Sequence, residues 1–259
     1  MRYKRELLAI MAILMHPLCI YASSLFDSRL FSRDTLYAWA DGGLNMRMSG
    51  SISAEIIGSI PYGRSMLFIE YDSSGSTEQV QFYKADKKDD IVNGVEIKCL
   101  DYFQRGWWIK VQFDKMVGYV FSGYTSRYVP IKNDFWIPNW INENVKLILE
   151  NEVYDQNSDG IDKFQYFDHG ISVLARLTNS GHWTYIIPNM TLEEAMLLTR
   201  KQIEANMKDV LPNRKGCINE MIGDQESGTV TYKITNNANW AMAITWTYNA
   251  VIISESFWC

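Results

Sequence analysis

Trp107-Trp108-Ile109-Lys110-Val111-Gln112-Phe113, followed by Asp114-Lys115-Met116 and Val117-Gly118-Tyr119-Val120-Phe121, is the stretch on which the fold turns. Its two arms, rich in aromatic and β-branched residues, read as strands joined by a short connection. Working back from it, Val80 to Tyr83 is a short strand behind a polar loop at 72–79, and Met66 to Tyr71 is another. Ile56-Ile57-Gly58-Ser59-Ile60 is a strand ended by Pro61 and Gly63. Leu44 and Met46 alternate with Asn45 and Arg47, the period of a half-buried strand, just after the turn signal Asp41-Gly42-Gly43. Lys84 to Asp90 is charge-rich and reads as a flexible segment. Short strands, tight turns and no helical period over this region predict a small β-barrel.

Four pieces in this order resemble the bacterial SH3 domain: Gly43-Leu44-Asn45-Met46-Arg47, Ile57-Gly58-Ser59-Ile60-Pro61-Tyr62-Gly63, Trp108-Ile109-Lys110-Val111, and Gly118-Tyr119-Val120-Phe121-Ser122-Gly123-Tyr124. The resemblance covers residues 36–128. It departs from the family at Met48-Ser49-Gly50-Ser51, which lacks a proline often found in that turn, and in the long stretch between Tyr71 and Trp107. It implies a binding module for cell-wall peptides or a partner enzyme, with no chemistry of its own. Tyr62, Trp107, Tyr119 and Tyr124 lie near strand ends or turns and are the candidate ligand-binding aromatics of the barrel groove, whereas Trp39 and Trp108 are assigned to the core. Rings with few rotatable bonds grip an extended chain at small entropic cost.

Residues 129–144 carry Pro130, Pro138, Trp136 and Trp140, and read as a linker or a strap across two domains. Beyond them, Val145 to Tyr154, Ile171 to Leu177 and Trp183 to Ile187 are predicted strands, the last two joined at Asn179-Ser180-Gly181 and stopped by Pro188. Thr191-Leu192-Glu193-Glu194 is a capping box opening a helix that runs to about Val210. Leu192, Met196, Thr199, Ile203, Met207 and Val210 share one face of it, a stripe that core packing explains. Val230-Tyr232-Ile234 and Trp240-Met242-Ile244-Trp246-Tyr248 form a second hairpin around Asn236 to Asn239, and Val251 to Phe257 is the last strand. The expected fold is therefore mainly β, a small SH3-type barrel followed at 145–259 by an α+β domain with an antiparallel sheet and one main helix.

The first residues read as a signal peptide. Arg2, Lys4 and Arg5 precede an apolar run from Leu7 to Ala22, with small residues at the cleavage region Ala22-Ser23-Ser24. The run is short for a span and is broken by His16-Pro17, so no stable membrane insertion is expected after cleavage. Leu18 before Cys19 argues against lipidation. Removing residues 1–22 takes the formal charge from −5 to −7, and the longest basic run is Lys87-Lys88 between aspartates. A nucleic-acid partner needs a clustered positive face, so that class is excluded. Export permits a disulfide, and among Cys99, Cys217 and Cys259 the expected pair is Cys217–Cys259.

Asp155, Asn157 and Asp159, followed by Gly160, open like a calcium loop, but the twelfth position is Tyr166 in place of a bidentate Glu and the eighth is Asp162. An ordinary turn is the expectation, and no metal or cofactor is predicted. Besides His16 in the leader, the chain has two histidines, His169 and His182, and neither HExxH nor CxxC occurs. Cys217 follows both histidines, the reverse of the order in the cell-wall cysteine peptidases that accompany bacterial SH3 domains. His169 with Asp168, or His182 with Glu193 or Glu194, are the acid–base pairs that can be written, and each histidine is expected at a turn or surface. The expected function is a periplasmic or secreted cell-envelope binding protein, not an enzyme, whose partner is a cell-wall peptide or glycan or an envelope protein. The alternatives are an inhibitor or immunity protein against an envelope-targeting toxin, and a cell-wall hydrolase with its chemistry in the second half.

Overall fold

The structure is a computed structural model and describes residues 30, 32–74, 77–84, 90–92, 95–97, 99–131, 136–155, 160–178, 180–207, 218–224, 228–235 and 239–258. The proposed leader, the calcium-loop positions Asn157 and Asp159, and both Cys217 and Cys259 lie outside these residues. The chain is mainly β, with two large antiparallel sheets.

The first sheet is built from β1 (Thr35–Ala38), β2 (Leu44–Arg47), β3 (Ile56–Ile60), β4 (Ser65–Tyr71) and β5 (Thr77–Tyr83). After the small ribbon of β6 (Asp90–Val92) and β7 (Val95–Ile97) come β8 (Tyr102–Phe113), β9 (Met116–Phe121) and β10 (Thr125–Ser126). The strand order is β10-β1-β4-β8-β9-β2-β3, with β5 on β8. The hairpin read from sequence is present: Phe113 pairs with Met116 across a two-residue turn in which Asp114 adopts φ 52°. Asp tolerates this left-handed conformation better than most residues. Leu36, Leu44, Met46, Ile60, Phe68, Ile109, Val111 and Val120 form the sheet's own apolar cluster.

β8 is longer than its sequence suggested. It starts at Tyr102, and its first half leaves β4 to pair with β5, so the described residues between Tyr71 and Trp107 are mostly strand. It passes the 3-10 turn Ser122–Tyr124 at very close range, where Gly106 and Gly123 face each other. A Cβ on Gly123 would lie 2.5 Å from the Phe121 ring and 2.7 Å from the Arg105 carbonyl. Gly123→Ala is therefore expected to destabilise by about 1–3 kcal/mol, the usual cost of overpacking. A urea midpoint unchanged from wild type would show that the crossing can relax.

The strap at 129–144 contains a helix the sequence reading missed, α1 (Ile137–Asn144), with Pro138 in its first turn. Ile137, Trp140 and Ile141 are buried beneath it, and Trp140 Nε1 donates to the Val129 carbonyl at 2.8 Å. The second sheet follows: β11 (Leu147–Asp155), β12 (Gly160–Phe167), β13 (Ser172–Leu177) and β14 (Ser180–Pro188), then α2 (Leu192–Met207), then β15 (Glu220–Asp224), β16 (Thr229–Thr235), β17 (Trp240–Thr247) and β18 (Ala250–Trp258). Their order is β11-β12-β13-β14-β18-β17-β16-β15. Each half is a helix followed by a four-strand meander, and the two last strands pair antiparallel about Thr184 and Ser254. The topology thus has an approximate two-fold axis at that point, although β12 and β15 were not read from sequence.

Trp140, Tyr185, Ile187, Ile203, Trp240, Ile244 and Ile253 belong to one large core that also takes in Trp39, Tyr83 and Tyr102 from the first sheet. The two halves therefore share a core. α2 is the element between them, and Ala195 to Thr199 are buried all round it. A helix buried on every side must be covered by two layers. Here they are the second sheet below and β8 with its neighbouring turn above.

Candidate functional site

The capping box predicted at the start of α2 is present. Glu194 N–H donates to Thr191 Oγ1 at 3.1 Å, and Thr191 N–H donates back to Glu194 Oε2 at 3.0 Å. Glu194 does more than close its own helix. Its Oε1 accepts from Ser126 Oγ at 2.8 Å and from Arg127 N–H at 3.2 Å, tying β10 of the first sheet to the helix start. Gln104 of β8, fully buried, donates from Nε2 to the Gly123 carbonyl at 2.8 Å and to the Glu193 carbonyl at 2.9 Å. These bonds fix a groove along the junction of the two halves.

The alternation of β8 decides what lines it. Tyr102 and Gln104 point into the shared core, and Phe103, Arg105 and Trp107 take the opposite face. On β5, the exposed Thr77, Gln79 and Gln81 stand directly opposite Trp107, Arg105 and Phe103. The result is an aromatic–cation–aromatic ladder, with steps of about 7 Å set by the strand repeat. At one end, Trp107 and Arg105 enter a recess with Ser122, Thr191 and Glu193. At the other, Arg105 and Phe103 border a second recess of roughly 380 Å³ with Met221, Asp224 and Tyr232 at the sheet edge. Arg105 joins the two, and its guanidinium makes no hydrogen bond or ion pair among the described residues. Burial pushes the Glu193 carboxyl up to about 7, against the opposing pull of Arg105.

Of the four aromatics singled out from sequence, Trp107 lines this groove and the others lie elsewhere. Tyr62 donates its hydroxyl to the Ile131 carbonyl at 3.0 Å in the seam, where burial pushes its pKa up to about 12. Tyr124 packs between Phe82 and Phe121, with ring centres 6.1 and 5.9 Å away. Tyr119 sits opposite Lys110 on the face that carries Trp108 and Phe121, away from Trp107. Trp108 is buried, as expected, and packs on Phe121 with Arg47 above it. Trp39 is buried too, but in the shared core, donating Nε1–H to the Tyr128 carbonyl at 2.9 Å.

No family model matches the chain, nor does any curated protein or solved structure. The geometry therefore stands without a relative beside it. Among the described residues no helix is long and apolar enough to cross a membrane, and no three His, Cys, Asp or Glu side chains stand together as metal ligands. Cys99, which the Cys217–Cys259 expectation leaves as the odd thiol, is disulfide-bonded.

The histidine pairs take other partners. His182 lies on the outer face of the second sheet, its Nδ1 2.7 Å from Ser256 Oγ, and not beside Glu193 or Glu194 at the start of α2. Asp168 Oδ1 accepts from Lys146 N–H at 3.0 Å, while exposed His169 occupies a turn at φ 57°. Phe103 and Arg105 were missed because the strand was not extended upstream of Trp107. The alternation of Tyr102 and Gln104 with Phe103 and Arg105 was the available signal, obscured by Gly106.

Proposed function

We propose that the protein is an exported cell-envelope binding protein that holds an extended, carboxylate-bearing cell-wall peptide along β8, without catalysis. The observation that carries this reading is the Trp107–Arg105–Phe103 ladder with Gln79 and Gln81 beside it. Two rings grip the chain, the guanidinium between them, without a hydrogen bond or ion pair among the described residues, takes a carboxylate in bidentate fashion, and the amides accept and donate along the backbone. Aromatic and arginine side chains of this kind carry most of the energy at binding surfaces. The resemblance of residues 36–128 to the bacterial SH3 domain supports the same class of ligand, and the leader at 1–22 supports export.

The test is retention of the purified protein on peptidoglycan, set against capture of proteins from periplasmic extract. Retention on peptidoglycan is expected, with Arg105→Ala and Trp107→Ala each weakening it by roughly 30-fold, the scale of a hot-spot residue. Both side chains are solvent-accessible, so circular dichroism should be unchanged. Capture only from the extract would favour the inhibitor or immunity reading, and retention on neither would overturn both.

A further inference from the structure

The last strand carries an anomaly. β18 alternates Val251, Ile253, Glu255 and Phe257 toward α2, so a carboxyl occupies a position where the pattern asks for an apolar side chain. Glu255 is 0% exposed. Its register neighbours on that face are Trp183 of β14 and Met242 of β17, and Gln202 of α2 lies against it. Oε1 accepts from Trp240 Nε1 at 2.7 Å and from Gln202 Nε2. Among the described residues two buried oxygens of this pair then lack a hydrogen-bond partner: Glu255 Oε2 and Gln202 Oε1.

An ionised carboxylate only accepts hydrogen bonds, as an amide oxygen does, so in that state both orphans would remain. Two unsatisfied buried acceptors together with a buried charge are a heavy penalty. A carboxylic acid has one O–H to donate. With the proton on Oε2, Glu255 donates to Gln202 Oε1 while Gln202 Nε2 donates to Glu255 Oε1, and a single proton satisfies both orphans. We propose that Glu255 is a neutral acid in the folded protein and forms with Gln202 a doubly hydrogen-bonded acid–amide latch that holds α2 on the second sheet and opens as pH rises. On deprotonation the Oε2 proton leaves to solvent, and the carboxylate then faces the Gln202 oxygen.

Among the described residues the surroundings supply no counter-charge. Burial pushes the Glu255 carboxyl up to about 7, against the N–H groups of Trp240 and Gln202. The titratable group facing it is Tyr185 of β14, whose own pKa is raised by burial and by Glu255. On α2, Arg200 is bound to Glu204 and Lys201 to Asp41. On the same face of the sheet Lys163 is bound to Glu150 and Glu152. This inference does not depend on what the β8 groove binds.

Urea unfolding of the full chain between pH 4.5 and 8, together with a ¹³C NMR titration of the Glu255 carboxyl, tests it. The native group holds its proton to a higher pH than the unfolded one, so stability is greatest below about 4.5 and falls as pH rises through about 7. The wild-type folding constant is expected to drop by roughly 100-fold over that interval through this group. Glu255→Gln preserves a paired amide, and its curve should lack this component. Glu193 is present in both proteins, so their difference isolates residue 255. A wild-type carboxyl titrating at the ordinary value, or a variant with the full wild-type slope, would overturn the latch. The NMR titration decides even if the variant fails to fold.

Discussion

Glu194→Ala should lower the stability of the whole chain by about 3 kcal/mol, an effect well beyond the loss of a helix cap. The side chain accepts from Ser126 Oγ, Arg127 N–H and Thr191 N–H. Ser126 and Glu194 are both buried, so water replaces these bonds poorly. An exposed capping glutamate would contribute about 1 kcal/mol, and each buried donor left unpaired adds about 1–3 kcal/mol. Glu194→Gln should lie between wild type and Glu194→Ala, because one amide oxygen can serve only one side of the network. Chemical denaturation of the three proteins is the measurement. A loss below 1 kcal/mol in the alanine variant would mean that the helix start is not fastened to the first sheet through this residue.

Trp140→Ala is expected to have a similar or larger effect, about 3–5 kcal/mol, because it removes a fully buried indole from the shared core. The ring also makes an edge contact with Tyr128, 5.4 Å between centres, and bonds to the Val129 carbonyl. Core residues of the first sheet, Trp39, Tyr83 and Tyr102, belong to the same cluster. Loss of Trp140 should therefore weaken both halves together. Far-UV dichroism and tryptophan fluorescence are expected to report one coincident transition in wild type and variant, shifted to lower denaturant in the variant. Two separated transitions would show that the halves fold independently and that the interface is only a docking surface.

These predictions rest on features that were unevenly legible. The hairpin at Trp107–Phe121 and the capping box at Thr191–Glu194 were read directly, because turn and cap chemistry is local. The strands of β16, β17 and β18 showed in the period-two pattern of Val230, Trp240 and Val251 onward, since one of their faces is buried under α2. β12 and β15 escape that logic: β15 is exposed throughout and β12 is exposed or half-buried between its buried ends, so no alternation marks them clearly. α1 was hidden because it is only about two turns long in a proline-bearing strap, and what holds it is packing against α2 and the Trp140 contacts with Tyr128 and Val129.

The groove shows the same division. Sequence alone placed an aromatic at Trp107, but whether Tyr62 and Tyr124 faced a ligand or the interior depended on where Ile131, Phe82 and Phe121 came to lie. Likewise the sequence shows a glutamate at 255 without its burial, and a glutamine at 202 without its partner. Local order follows from neighbours along the chain, through turn geometry, caps and side-chain period. Which face is covered, which charge loses its water and which arginine is left facing a groove are settled only when distant segments pack, because burial is a property of the assembled layers and not of any one of them.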